Sequence, residues 1–218
     1  MKTHIHRALG STIVLSALAG STIVGINTAQ AMAPNVSCGT VRAEDGVTAG
    51  QLNSVLTGTL RSAMTSYRVS CARAIVNTVR ARGLSERAAV IAITTVIVES
   101  NIENNPNVLD HTSVGLFQQQ ESWGSTANRL DPAWATNAFL NHMITAFPNG
   151  SWQNEQIGTV CQAVQKSAYG SRYQPQASDA QKIVSAIGRR TADVTGDGLA
   201  DILTQEPDGG VTVGVNMG

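Results

Sequence analysis

The feature that most constrains the fold is AAVIAITTVIV, residues 88–98, a run of eleven uncharged positions that ends directly before Glu99. A helix that is apolar on every side lies at the centre of a core, whereas a surface helix keeps one polar face. We therefore expect a central helix over about residues 86–100, with Ser85 as its cap and Glu86 in its first turn. Burying an unpaired acid costs free energy. Glu99 is therefore either a carboxylate that reaches solvent at the helix end or a general acid whose pKa is raised by apolar surroundings.

Apolar periodicity and the placement of prolines predict a mainly α body around this central helix. We expect irregular chain over residues 32–50. The smaller helices are expected over residues 50–69, 71–83, 114–121, 132–147, 155–168 and 176–188.

The first 31 residues have the pattern of a secretory signal peptide. Lys2 and Arg7 precede an apolar stretch over residues 13–26, and a small-x-small cleavage site, Ala29-Gln30-Ala31, follows it. The stretch is too short and too rich in glycine for the alternative, an N-terminal membrane anchor. No later run approaches the roughly 20 apolar residues of a spanning helix. We expect a protein that is secreted, extracellular or associated with the cell wall, and free of the membrane after cleavage.

The charge distribution divides the remaining chain at about residue 190. Residues 32–190 hold 13 basic and 10 acidic residues, whereas residues 191–218 hold five acidic residues and no basic ones. Such a step indicates a domain boundary. The mild positive balance of the main body suits an anionic polymer such as cell wall and is too small to indicate a nucleic-acid partner.

Three cysteines remain after residue 31, namely Cys38, Cys71 and Cys161. Export favours one disulfide, and the odd count leaves one thiol. Cys161 lies in IGTVCQAVQ, an apolar helical pattern in which a buried free thiol is sufficient explanation. This favours the pair Cys38–Cys71 among the three pairings. No CxxC or HxxxH spacing indicates zinc.

Three polar segments follow the central helix in an order that indicates a sugar-binding cleft. The first is Glu99-Ser100, the second is DHTSVGLFQQQESWG over residues 110–124, and the third is AVQKSAYGSRY over residues 163–173. Glutamine side chains offer hydrogen-bond donors and acceptors together, which suits the hydroxyl groups of sugars.

The order Glu-Ser, Ser-x-Gly-Leu-Phe-Gln-Gln and Ala-Val-Gln-x-Ser-Ala-Tyr resembles the lysozyme-like superfamily over about residues 71–188. The chain is most similar there to soluble lytic transglycosylase-type domains of secreted cell-wall proteins. The resemblance implies a lysozyme-like helical domain, peptidoglycan as substrate and Glu99 as catalytic acid, oriented by Ser100. Gly170 departs from the pattern because asparagine is expected there. The residues that the resemblance assigns to the cleft are Ser100, Ser113, Gln118, Gln119, Gln165 and Tyr169.

Cleavage of a glycosidic bond requires an acid, and a hydrolase usually adds a second carboxylate. Asp110 is our candidate for that second catalytic residue, beside its ordinary interpretation as a turn cap. Glu103 and Glu121 are the other nearby acids, and Glu103 suits a solvated surface. A transglycosylase needs only one glutamate, so hydrolysis and transglycosylation both stay open. A non-catalytic peptidoglycan-binding module is the alternative function, and a purely structural domain is the third.

Other residue pairs allow different chemistry but lack supporting motifs. Asp110, His111 and Ser113 have the residue types of a catalytic triad, and Cys161 with His142 has those of a thiol protease. Trp123 and Trp152 are either sugar-stacking residues or partly buried core and rim residues.

The acidic tail has the pattern of a calcium loop. DVTGDGLAD places Asp193, Thr195, Asp197 and Asp201 at alternating positions, which suits the oxygen ligands of calcium. The loop and the following ILTQEPDGGVTVGVNMG are similar to FG-GAP/VCBS repeats, with a β-hairpin that turns at Asp208-Gly209. An Asp/Gly turn without metal is the alternative.

We expect a signal peptide over 1–31, an N-terminal extension over 32–70, the lysozyme-like domain over 71–188 and the tail over 191–218, in a monomer without a catalytic cofactor.

Overall fold

The computed structural model describes residues 32–108, 111–190, 202–205 and 210–214. These residues are mainly helical, as the sequence predicts. The helices are α1 Ala43–Val55, α2 Ser66–Ala81, α3 Glu86–Ser100, α4 Thr126–Leu130, α5 Pro132–Ala146, α6 Ile157–Gln165 and α7 Ala177–Arg190. Short 3₁₀ segments lie at Glu121–Trp123, Pro148–Gln153, Gly170–Arg172 and Gln174–Gln176.

Helix α3 lies at the centre of the core, with the bounds that the uncharged run predicts. Every residue from Ala88 to Ile97 is buried. The helix is covered by α2, α5, α6 and α7, which leaves no exposed side over residues 88–97. It begins after Ser85 and ends at Ser100, where the left-handed conformation of Asn101 (φ 54°) turns the chain away.

The helix predicted over residues 50–69 is wrong, because α1 begins at Ala43 and ends at Val55. The Asn53 side chain explains the end, since its Nδ2 donates to the Met64 carbonyl oxygen (3.0 Å) and its Oδ1 accepts from the Met64 amide (2.7 Å). These bonds hold residues 56–65 as a loop, and the Thr65 side chain caps the start of α2. Helix α2 therefore begins earlier than the predicted residue 71, and residues 43–50 are helical rather than irregular.

The helix predicted over residues 114–121 is also wrong. Val114 and Gln119 form an antiparallel bridge around a tight turn. Gly115 has φ 82°, and a Cβ at this position would lie 2.3 Å from the Arg129 carbonyl oxygen. The buried Arg129 guanidinium organises the turn, since Nη1 donates to the carbonyl oxygens of Thr112 (2.6 Å) and Gln119 (2.8 Å). Hydrogen bonds from the Arg129 side chain thus replace the backbone hydrogen bonds of the helix that the apolar spacing predicted.

The N-terminal segment is fastened to the helical body by covalent and polar contacts. Cys38 and Cys71 form a disulfide with 4.8 Å between their Cα atoms, which is the pairing that the sequence favoured. Cys161 is a buried free thiol. Asp45 at the start of α1 pairs with Arg73 of α2 at 2.7 Å. The segment before α2 thus packs directly on the helix that follows it.

Two short strands follow the helices. The strands β1 Ile202–Gln205 and β2 Val211–Gly214 pair antiparallel, with Ile202 opposite Gly214. The predicted turn at Asp208-Gly209 and the four proposed calcium ligands, Asp193, Thr195, Asp197 and Asp201, lie outside the described residues, as do residues 1–31.

Within the ranges that the structure describes, no three His, Cys, Asp or Glu side chains cluster as a metal site would require. None of the helices in the same ranges has the length and apolar character needed to cross a membrane.

Candidate functional site

A cleft of about 580 Å³ lies where α3 ends, and the three polar segments of the sequence meet in it. Glu99 lies at its inner wall, the loop after α3 forms one side, and the chain after α6 forms the other. The lining residues are Glu99, His111, Ser113, Gln118, Gln120, Trp123, Gln165, Lys166, Ser167, Ala168 and Tyr169. The structure thus brings together Glu99, Ser113, Gln118, Gln165 and Tyr169 from the predicted set, whereas Asp110 lies outside the described residues.

Glu99 is held by a buried tyrosine that the sequence did not single out as its partner. The Tyr173 hydroxyl donates a hydrogen bond to Glu99 Oε1, and the tyrosine side chain is fully buried. Burial raises the pKa of Glu99 above the ordinary value of 4.5, and the bond from Tyr173 opposes part of that rise. The same burial raises the pKa of Tyr173, so its hydroxyl stays a donor. The two residues are 74 positions apart, so local spacing contains no signal of this contact.

Ser100 and Gln119 support the cleft from outside it. The Ser100 hydroxyl donates to the carbonyl oxygens of Leu116 (2.7 Å) and Val96 (3.2 Å), which joins the end of α3 to the following turn. Gln119 is 1% exposed, and its Nε2 donates to the Ala135 carbonyl oxygen at 3.0 Å. Gln119 is therefore a core residue rather than a cleft residue, because the bridge with Val114 turns its side chain inward.

Two glutamines that line the cleft are fixed through their amide nitrogens. Gln118 Nε2 donates to the Gly115 carbonyl oxygen, and Gln165 Nε2 donates to the Phe117 carbonyl oxygen, both at 2.9 Å. Each anchored amide keeps an oxygen that is able to accept a hydrogen bond from a hydroxyl group. The pair thus provides positioned acceptors on two sides of the cleft.

The exposed ring of Tyr169 forms the outer wall of the cleft. Its ring is covered by the Arg172 guanidinium, whose central carbon lies 4.2 Å from the ring centroid. The neighbouring Gly170 stands where asparagine is expected, and a Cβ there would lie 2.6 Å from Gln162 Oε1. Gln162 is itself bound through Nε2 to the Ser167 carbonyl oxygen at 2.8 Å. A side chain at residue 170 would therefore require the Gln162 side chain to shift.

The structure distinguishes the alternative interpretations of the tryptophans and of Cys161. Trp123 is a partly buried residue of the cleft rim, stacked on His142 with ring centroids 4.1 Å apart, and Trp152 is 4% exposed in the core. Cys161 is fully buried, and burial raises the pKa of its thiol to about 12. A thiol that is inaccessible and protonated is not an effective nucleophile. Cys161 therefore does not serve the thiol-protease chemistry that its residue type allowed.

Glu99 is the carboxylate that lines the cleft among the described residues. Glu103 instead pairs with Arg68, with 2.6 Å between Oε1 and Nη2, and Glu121 is exposed at the start of a 3₁₀ segment. Glu103 therefore serves a salt bridge rather than the cleft.

Three residues of the cleft have left-handed backbone conformations. His111 (φ 49°), Gln118 (φ 47°) and Lys166 (φ 53°) all line it, although none of them is glycine. Such conformations cost about 1–3 kcal/mol each and persist where the surrounding structure imposes them. Strained backbone at these three positions is compatible with a binding or catalytic site.

Comparison with known proteins yields no match, either to a family model or to a curated protein. The geometry of the cleft therefore carries the functional argument.

Proposed function

We propose that this protein cleaves the glycan strand of peptidoglycan, with Glu99 as the proton donor, in a lysozyme-like helical domain. The observation that carries the proposal is the position of Glu99. Its carboxyl group ends a buried helix, lines a cleft and accepts a hydrogen bond from a buried tyrosine. A raised pKa keeps a carboxylic acid protonated closer to neutral pH, where it is able to donate its proton.

The chemistry requires one proton transfer in each direction. Protonated Glu99 donates to the oxygen of the glycosidic bond, the bond between that oxygen and the sugar carbon breaks, and positive charge develops on the sugar ring. The glutamate, now a carboxylate, then removes a proton from the attacking group. That group is water in a hydrolase and a hydroxyl group of the same sugar chain in a transglycosylase. Asp110 is our proposed second carboxylate for the hydrolytic route.

The remaining lining of the cleft suits a sugar chain. Its volume of about 580 Å³ lies in the range of small-molecule sites. The oxygens of Gln118 and Gln165 are proposed to accept from sugar hydroxyls, and the rings of Trp123 and Tyr169 to pack against the apolar faces of the sugars. Ser113 also lines the cleft and is proposed as a further hydroxyl partner.

The proposal extends to the cellular setting of the enzyme. The signal-peptide pattern of residues 1–31 supports export, and the Cys38–Cys71 disulfide is compatible with an oxidising compartment. We propose a monomer that acts on the cell wall. Calcium is proposed to bind the FG-GAP/VCBS-like tail through Asp193, Thr195, Asp197 and Asp201, and to take no part in catalysis.

Digestion of purified peptidoglycan by the chain from Met32 onward tests the catalytic proposal. We expect Glu99→Gln to lower the release of glycan fragments by about 10²–10⁴-fold, because general acid catalysis is lost. Glu86→Gln is the matched control, since it makes the same substitution at the exposed opposite end of α3 and should release fragments normally. Mass spectrometry identifies the products.

The products also separate the alternatives. Anhydro-sugar ends that depend on Glu99 indicate a transglycosylase, and reducing ends indicate a hydrolase. Retained binding of peptidoglycan without release by either the unmodified protein or its variants contradicts the enzyme proposal and favours the non-catalytic binding module. Loss of both binding and release contradicts both functions.

A further inference from the structure

A second groove of about 400 Å³ lies beside the cleft of Glu99, and Lys166 lines both. The second groove runs between α5 and α6. The stacked pair of Trp123 and His142 connects them at a second point, since Trp123 lines the cleft and His142 lines the groove. A ligand in the cleft is therefore able to extend a side group past Lys166 into the groove.

The groove has a positive wall. Lys166 is exposed, and no described carboxylate oxygen lies within 4.0 Å of its Nζ. Arg82 lies directly behind the groove, where its Nη1 donates to Asn141 Oδ1 at 2.7 Å and to the Asn137 carbonyl oxygen at 3.2 Å. No carboxylate belongs to the described lining of the groove. Lys166 thus faces a space that lacks a described counter-charge, and Arg82 adds a second positive charge behind the groove wall, which favours an anionic group.

The rest of the lining is suited to a peptide rather than to a phosphate polymer. Asn141 presents its amide NH₂ because its oxygen is already bound to Arg82, and Thr145 adds a hydroxyl group on the same face of α5. Both are able to donate to peptide carbonyl oxygens. The floor is formed by small aliphatic side chains, Ala146, Ala163 and Val164, which fit small aliphatic side chains of a ligand. A phosphate polymer would gain nothing from this apolar floor.

The conformation of Lys166 is imposed by its place in the chain. It caps the end of α6 in a left-handed conformation (φ 53°, ψ 34°), with its amide donating to the Gln162 carbonyl oxygen at 2.8 Å. Glycine is the residue that usually fills such a cap. Lysine occupies this unfavourable backbone conformation where the two cavities meet, which favours a functional role for its charge.

We propose that the groove binds an acidic peptide substituent of the glycan and that Lys166 pairs with a carboxylate of that peptide. The inference rests on the proposed function for the identity of the glycan and deepens it. The enzyme would distinguish strands that carry peptides from bare strands. Lys166, Asn141 and Thr145 would be specificity-determining residues, while Glu99 performs the proton transfer on either strand.

The test compares glycan strands that carry their peptides with the same strands after the peptides have been removed by an amidase. We expect the unmodified chain to show a lower KM for the peptide-bearing strands. In Lys166→Gln, the ratio of the two KM values should move toward one by about threefold to fivefold, the size expected of a solvent-accessible ion pair. Lys166→Arg should preserve the ratio because it keeps the charge. Thr145→Glu should reverse the KM preference, because the new carboxylate would repel the carboxylate of the peptide. Thr145 is exposed on α5 and lies outside the cleft.

Arg61→Gln controls for the loss of one positive charge, since Arg61 is exposed in the loop before α2 and lines neither cavity. Binding of both strand types to Glu99→Gln, measured by calorimetry, separates the two proposals. Peptide-dependent binding that needs Lys166, without any turnover by the unmodified chain, supports the groove and contradicts the catalytic proposal. Turnover with equal KM for both strands, unchanged in Lys166→Gln, overturns the groove and leaves the catalytic proposal standing. Tighter binding of a phosphate polymer than of peptide-bearing strands also overturns it.

Discussion

At the scale of single residues, Glu99 is placed where its charge opposes folding. Its side chain is partly buried at the end of α3, and burial raises its pKa above the ordinary value of 4.5. Below that pH the carboxyl group is neutral in both the folded and the unfolded chain. As the pH rises through the raised pKa of the folded state, the folded protein loses the stability that the neutral form provided. The acid thus weakens the fold at the pH where it is proposed to work.

Glu99→Gln should therefore be more stable than the unmodified chain at pH 7.5 and equally stable at pH 3.5. Glutamine keeps an oxygen that accepts the Tyr173 hydrogen bond but carries no charge to bury. We expect a rise in Tm on the order of 2 °C at the higher pH, measured by calorimetry. Glu86→Gln, at the exposed start of the same helix, should lack this pH-dependent gain. A Tm of Glu99→Gln below that of the unmodified chain at pH 7.5 would contradict the assigned environment of Glu99.

At the scale of elements, the cleft depends on the turn that follows α3. Asn105 accepts a bond from the Gly115 amide at 2.8 Å, and Gly115 in turn accepts one from the Gln118 side chain. Arg129 closes the turn from the other side with its bonds to Thr112 and Gln119. The conformation of Gly115 is thus connected to the position of the Gln118 side chain in the cleft.

Gly115→Ala should disturb this turn, because the added Cβ meets the Arg129 carbonyl oxygen and φ is 82°. We expect a loss of about 2 kcal/mol or more in the free energy of unfolding, together with a lower kcat/KM, since Gln118 would shift. Gly50→Ala is the matched control. Gly50 lies in α1 with nothing within 4 Å of an added Cβ, so the same change should stabilise the protein by about 0.5–1 kcal/mol. Urea unfolding measures both, and equal effects in the two variants would contradict the tight packing at Gly115.

The sequence predicts some of these elements better than others for a physical reason. The bounds of α3 follow from one uncharged run, because eleven successive apolar or neutral residues allow only a central position. The turn over residues 114–119 does not follow from its own residues, since its bonds come from Arg129, farther along the chain. The hydrogen bond from Tyr173 to Glu99 does not follow from the sequence for the same reason, since the two residues are 74 positions apart. The motifs found several cleft residues, but they also included Ser100 and Gln119, which lie outside the cleft. Tertiary contacts decide which side chains of a motif face the cleft.

At the scale of the whole molecule, contacts that are distant in sequence connect the N-terminal segment to the site. The Val36 amide donates to the Asn104 carbonyl oxygen at 2.9 Å, and the Tyr67 hydroxyl donates to the Val36 carbonyl oxygen at 2.7 Å. Asn104 lies five residues after Glu99, and its side chain donates to the Leu130 carbonyl oxygen at 2.8 Å. At the far end of the helical body, Asp179 of α7 accepts from the amides of Thr57 (2.9 Å) and Gly58 (2.6 Å). Hydrogen bonds thus connect the chain before α3 to the chain after it.

The Cys38–Cys71 disulfide covalently secures this arrangement, so its removal should lower the stability of the whole helical body. It closes a loop with a sequence separation of 33, for which the chain-entropy model gives about 3–4 kcal/mol. We expect Cys38→Ala/Cys71→Ala to lower Tm by about 10 °C. The rate of glycan release at 25 °C should stay within about twofold, because the remaining hydrogen bonds still hold Asn104 below the transition. A reducing agent should lower the Tm of the unmodified chain to that of the variant and leave the variant unchanged. A reducing agent that lowers both Tm values equally would contradict the prediction, because the variant has no Cys38–Cys71 disulfide to reduce.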